Sequence, residues 1–174
     1  AWKASANALP GIVYDVISPE SLRLDAAPSV RLLLSALKVL LNEKEELAIA
    51  ELLTEYFYIS NPDGNPLDKK LAQPNTKLLD LLPSAFSKNI NTLRQKPLLQ
   101  LTESLISLFN LNDKQGAQPF IIAFQDALLD FLSEYYSDIS RFLRWWEENG
   151  FKRALQIPES TNAMRIMTIH KSKG

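Results

Sequence analysis

Ile121, Phe124, Leu128, Phe131, Leu132, Tyr135, Ile139, Phe142, Leu143 and Trp146 recur at three- and four-residue steps, and no other stretch constrains the fold so strongly. That spacing is the period of an α-helix, and Asp126, Asp130, Glu134, Asp138, Arg141 and Glu148 take much of the opposite side. The pattern predicts one helix of about seven turns, ended by Asn149-Gly150. Its wide aromatic face needs partners, so this helix is expected to be the spine on which shorter ones pack.

Further helices are expected upstream. Asp25-Ala-Ala-Pro28-Ser29 reads as a helix start, a short polar side chain capping free amides and proline being harmless in the first turn. Val30, Leu33, Leu34, Leu37, Leu40 and Leu41 then repeat at helical spacing and predict one buried face. After the polar break Asn42 to Glu45, Leu47, Ala48, Leu52, Leu53 and Tyr56 form a second helical pattern. Ser60 to Pro66 carries turn residues, with irregular chain expected as far as Pro74. Leu78 to Leu82 is a short apolar run stopped by Pro83, and Ala85 to Leu93 a modest helix. Pro97 opens another, with Leu98, Leu101, Leu105, Leu108 and Phe109 as its stripe, closed by a polar turn over Asn110 to Gly116.

The two ends read differently. Gly11 to Ile17 reads as a short strand with a β-branched and aromatic core. Met164 to His170 is β-rich and apolar on nearly every residue, which suits the middle of a parallel sheet covered on both faces, with Gly11 to Ile17 as its neighbour. The helical middle is therefore expected to interrupt an α/β domain of which this sequence holds only two pieces. Residues 1–29 and 156–174 would be those pieces, and 30–155 the helical region between them.

Composition narrows the function. Nineteen basic residues against 20 acidic ones, a net charge of -1, argue against gripping nucleic acid by bulk charge. The absence of cysteine excludes disulfides, a thiol nucleophile and cysteine-ligated zinc. No apolar run approaches the roughly 20 residues that cross a bilayer, so a cytoplasmic protein with no membrane partner is expected.

The segment Met164-Arg-Ile-Met-Thr-Ile-His-Lys-Ser-Lys-Gly174 closely resembles motif V of UvrD/Rep-type superfamily 1A DNA helicases, in wording most like the AddA/RecB branch of helicase-nucleases. Trp145-Trp-Glu-Glu-Asn-Gly150 resembles the lead into that motif, and Gly11 to Leu24 resembles the second strand region of the motor's RecA-like domain 2A. The resemblance implies a mostly α chain: a helical 2B-like insertion flanked by two short β-containing pieces of a RecA-like α/β domain. It implies a fragment of an ATP-dependent DNA helicase or helicase-nuclease, acting in repair or recombination on single-stranded or partly duplex DNA, with a nuclease or helicase partner subunit.

Roles follow position by position from the same resemblance. Thr168 and His170 match positions at the tracked DNA strand, Lys171 and Lys173 lie in the adjoining basic turn, and Gly174 matches the turn between DNA and nucleotide. A hydroxyl, loop amides and two ammonium groups hold phosphates without reading bases, as a translocating motor requires. ATP and Mg²⁺ would be bound by the intact parent. This sequence has no GxxxxGK[ST] loop and no Asp-Glu pair ending a suitable strand, and Ser172-Lys173-Gly174 is in the wrong order for one. No catalytic residue and no ATPase activity are expected here.

Other residues admit plainer readings. Trp145 and Trp146 could stack single-stranded bases, but their place on an amphipathic helix predicts core packing for Trp146 and partial exposure for Trp145. Asp126, Asp130, Glu134 and Asp138 predict a solvent face and not a metal stripe, since two-metal chemistry needs carboxylates converging from several elements. Arg31, Arg94 and Arg153 lack the context of an arginine finger. The rival reading from the same residues is a non-catalytic helical protein-interaction module.

Overall fold

A computed structural model describes residues 15–17, 22–61, 67, 77–155 and 163–165. In chain order these hold β1 (Asp15–Ile17), α1 (Pro28–Leu41), α2 (Glu46–Ser60), α3 (Ser84–Ser87), α4 (Ile90–Arg94), α5 (Leu98–Leu108), α6 (Gln118–Glu134), α7 (Ile139–Asn149) and β2 (Ala163–Arg165), with short 3-10 turns between.

The centre of this arrangement is α1. Val30, Leu32, Leu33, Ala36, Leu37, Val39 and Leu40 are all buried, on every side of the helix except a thin polar line through Arg31 and Lys38. A helix apolar almost all round belongs inside a bundle, and α1 packs against α2, α4, α5, α6 and α7. The aromatic segment expected to be the spine is a peripheral pair instead. Strong amphipathicity marks a helix with one face in water, whereas the central element must lack a wide polar face. Proline starts α1 at its first position, and no side chain caps it; Asp25 pairs with Arg23.

The predicted seven-turn helix is two helices. After Glu134 the chain becomes extended at Tyr135, and Asp138 accepts a hydrogen bond from the Arg141 amide at 2.7 Å, capping α7. Ser137 Oγ accepts from the Leu98 amide at 2.8 Å, which ties the break to the first turn of α5. The chain then doubles back, so the aromatic stripe meets itself. Phe131 lies 5.3 Å from Phe142, and Phe124 5.0 Å from Trp146. Periodicity missed the break because Tyr135 to Ile139 keeps the four-residue step, while Ser137 and Asp138 supply the capping chemistry that stops a helix.

Two glycines serve different ends. Gly116 adopts φ +75° with nothing within 4 Å of a would-be Cβ, so only its backbone conformation asks for glycine. Gly150, at φ -65°, has ordinary helical dihedrals. There a Cβ would fall on the Cδ2 and Cε2 atoms of Trp146, so close packing demands the missing side chain.

The expectation of β-containing pieces of a RecA-like α/β domain is overturned. The described residues are almost entirely α-helical, and the only sheet among them pairs β1 with β2, in parallel, with Asp15 opposite Ala163 and Ile17 opposite Arg165. Strands of three residues in a two-stranded ribbon cannot bury two faces. Extended propensity at the ends signalled local conformation, while the core among the residues whose burial is described is built from the helices and the short turns between them. The remaining residues of the predicted strands, 11–14 and 166–170, lie outside the described residues.

Side-chain burial departs from the stripes in detail. Leu41, expected on a buried face, is 51% exposed, and Leu47 of the second helical pattern is 68% exposed, while Ile49, Phe57, Thr102 and Ile106, outside the predicted stripes, are buried. No helix among the described residues is long and apolar enough to cross a membrane.

Candidate functional site

The residues singled out by the motif, Thr168, His170, Lys171, Lys173 and Gly174, lie outside the described residues, as does most of the segment Met164 to Gly174. The structure does describe the approach to them. Chain entering and chain leaving the helical body run side by side: Arg23 bridges Ala154 in antiparallel fashion, the Leu24 amide donates to the Arg153 carbonyl at 3.0 Å, and the Leu155 amide donates to the Leu22 carbonyl at 2.8 Å. Leu24 is buried beside this clasp. Entry and exit are thus tied together before β1 and β2 pair.

Arg153 secures the clasp to the helices. Its Nη1 donates to Asp130 Oδ2 at 2.8 Å, and its guanidinium carbon lies 5.2 Å from the Trp145 ring centroid. Trp145 is also 6.0 Å from Phe142 and 5.6 Å from Phe131, and Trp146 is only 5% exposed. Both indoles are engaged by the protein, which leaves no open aromatic platform at this pair. The other two arginines likewise have local duties. Arg94 Nε donates to the Leu40 carbonyl near the end of α1, satisfying a helix-terminal acceptor. Arg31 pairs with Glu55 at 3.0 Å.

The acidic residues do not converge. Asp126, Asp130, Glu134 and Asp138 are exposed, Asp130 is held by Arg153, and Asp138 is a helix cap. Among the described residues no group of three or more His, Cys, Asp or Glu side chains could hold a metal ion.

The described residues also form a concavity that sequence reasoning did not anticipate. A furrow of about 540 Å³ runs over α1 between α2 and α7, lined by Leu34, Leu47, Leu143 and Trp146 among others. A second hollow of about 380 Å³ shares Lys38, Leu47, Leu143 and Glu147 with it and extends the furrow to Leu41. Two ion pairs, Arg31 with Glu55 and Lys38 with Glu51, both at 3.0 Å, cross from α1 to α2 along it. Burial raises the Glu55 pKa above its ordinary 4.5, overcoming the opposing pull of Arg31, and the nearby Glu51 charge adds to the rise. The sequence held one clue to this place: Arg31 and Lys38 are the only charged residues of α1 and sit two turns apart on one side.

No protein-family model matches the chain. It is 27% identical over 183 residues to a protein of Anoxybacillus flavithermus named as a subunit of an ATP-dependent helicase/nuclease, a match that takes in 86% of this chain. The two proteins are distant relatives. The likeness supports a superfamily link of a general kind to helicase/nuclease proteins, without fixing a specific activity on this chain. The chain spans 15% of that relative's length. As a subunit, the relative is by its name one component of an assembly.

Proposed function

We propose that this chain is a helical segment of an ATP-dependent DNA helicase of the helicase-nuclease kind, which translocates on single-stranded DNA and unwinds duplex in repair or recombination. The observation that carries the reading is the likeness, over 86% of the chain, to a protein of a helicase/nuclease. The wording of Met164 to Gly174 supports it independently, because those residues resemble a helicase motif.

On this reading Thr168 and His170 contact the DNA backbone, Lys171 and Lys173 neutralise phosphates, and Gly174 lets the chain pass close to the nucleotide. The helical residues 30–155 act as an accessory region, and ATP and Mg²⁺ are bound by other parts of the protein. The segment alone hydrolyses nothing.

The test is single-stranded-DNA-stimulated ATP hydrolysis by the full-length protein, compared with Thr168→Val, His170→Ala and the double variant Lys171→Ala/Lys173→Ala. Each single change should raise the DNA concentration for half-maximal stimulation about tenfold, the effect of losing a contact worth roughly 1.4 kcal/mol. The lysine pair should also lower the salt dependence of binding by roughly one to two counterions. A full-length protein with no DNA-stimulated hydrolysis would refute the reading and favour a non-catalytic interaction module, which could use the furrow over α1.

A further inference from the structure

The chain enters and leaves the helical body through a narrow neck, Leu22 to Leu24 beside Arg153 to Leu155. Among the described residues its backbone pairing is two hydrogen bonds, Leu24 amide to Arg153 carbonyl and Leu155 amide to Leu22 carbonyl. Beyond the neck, β1 and β2 contact each other far more than they contact any helix. A joint that hides so few hydrogen bonds opens more readily than the bundle behind it.

The two sides of the neck are held differently. Leu24 is buried and stays with the helices, whereas Leu155 is only partly covered by the core. Arg153 is the main fastening of the leaving chain. Its amide donates to the Gly150 carbonyl at 3.0 Å, which ends the turn after α7, and its backbone is extended at φ -87° and ψ 136°. Its carbonyl accepts from Leu24, while its side chain reaches Asp130 on α6 and the Trp145 ring on α7. One residue thus supplies both a backbone bond of the neck and a tie to the aromatic hairpin. Swinging its backbone away from Leu24 pulls the guanidinium from its seat. That seat is shallow, because the Arg153 and Asp130 side chains are 32% and 63% exposed. Water and salt reach the ion pair, and pairs of this kind hold weakly.

We propose that Arg153 is a salt-sensitive latch on the neck. When its guanidinium leaves Asp130 and Trp145, the leaving chain parts from Leu22 to Leu24 while the helical body stays folded. The latch sets how firmly the helical body and the strand pair are held in one orientation, whatever reaction the full-length protein performs.

The test is amide-resolved hydrogen exchange on the full-length protein, read at Leu24 and Leu155, with the Leu33 and Leu37 amides of α1 as the reference for unfolding of the body. The neck amides should be at least about a hundredfold less protected than the reference and indifferent to low urea, since opening the neck exposes little surface. Arg153→Ala should speed their exchange about 3- to 30-fold, the loss of one exposed ion pair and one cation–π contact. Asp130→Asn, a change at an exposed carboxylate, should give a smaller rise, and the double variant should be no faster than Arg153→Ala, because both remove one shared contact. Raising NaCl from 0.05 M to about 1 M should speed the wild-type neck amides by up to about fivefold and leave those of Arg153→Ala unchanged. Neck amides that share the protection and urea response of α1 would overturn the proposal, since the neck would then open only with the body. So would unchanged neck exchange in Arg153→Ala, a salt response that persists in that variant, or additive effects in the double variant.

Discussion

Replacing Gly150 with alanine tests the packing of the aromatic hairpin at its tightest point. The backbone at Gly150 is helical, with φ -65° and ψ -38°, so alanine meets no dihedral penalty. By reducing the freedom of the unfolded chain, alanine would contribute about 0.4–1 kcal/mol of stability if space allowed. Space does not allow it, because the new Cβ falls on Cδ2 and Cε2 of Trp146 and close to its Nε1. The indole cannot simply swing away: it lies 5.0 Å from Phe124 and 6.0 Å from Phe142, both fully buried. Overpacking of this kind costs about 1–3 kcal/mol. The net expectation is a loss of about 1–2 kcal/mol, or a fall in Tm of roughly 2–8 °C for a domain of this size. Thermal unfolding followed by circular dichroism gives the Tm, and urea unfolding gives the free energy. The same change made in a Trp146→Phe background should be nearly neutral, giving a coupling energy of at least about 1 kcal/mol between the two positions. Equal or higher stability for Gly150→Ala alone would refute the argument that glycine is there to admit the indole.

Asp138→Ala should remove the cap from α7 and cost about 1 kcal/mol in urea unfolding, with Asp138→Asn recovering most of it; an unchanged midpoint would mean that the bond to the Arg141 amide is not stabilising. For Glu55 the folded-state pKa lies above 4.5, so its stabilising contribution is complete below 4.5 and is lost as pH rises through the raised folded value. Glu55→Gln should accordingly flatten that decline in a pH series of urea midpoints, and a wild-type profile that rises across the same window because of Glu55 would reverse the sign and refute the assignment. Leu37→Ala, at a fully buried position of α1, should cost about 2–5 kcal/mol. By contrast Leu47→Ala, at an exposed position on α2, should stay within about 0.5 kcal/mol. Comparable losses at the two would contradict the placement of α1 at the centre.

Several features were legible in the residues because they depend on near neighbours in the chain. Pro28 at the first position of α1 and Pro97 just before α5 mark helix starts through the fixed ring dihedral alone. The turn between α5 and α6 uses Asn110 and Gly116 in left-handed conformations, which those residue types tolerate best. Burial of Trp146 followed from its place on an apolar stripe. The candidate DNA contacts were legible in a different way, through a resemblance in Met164 to Gly174, and the described structure does not extend to them. The furrow was not legible, since its walls come from segments about 90 residues apart that share no local signal.

Helical periodicity and proline placement are properties of short windows, and they were enough to establish that most of the described residues are α-helical. Which helix lies in the middle was a matter of three-dimensional competition. The aromatic run has the stronger pattern, yet α1 takes the centre because Arg31 and Lys38 are its only charged groups and both lie on one line facing the furrow. The aromatic run folds back at Tyr135, where Ser137 and Asp138 accept backbone amides at the break, and its two halves then pack ring against ring. Such choices depend on how much apolar surface each arrangement removes from water, a quantity that exists only once distant segments meet.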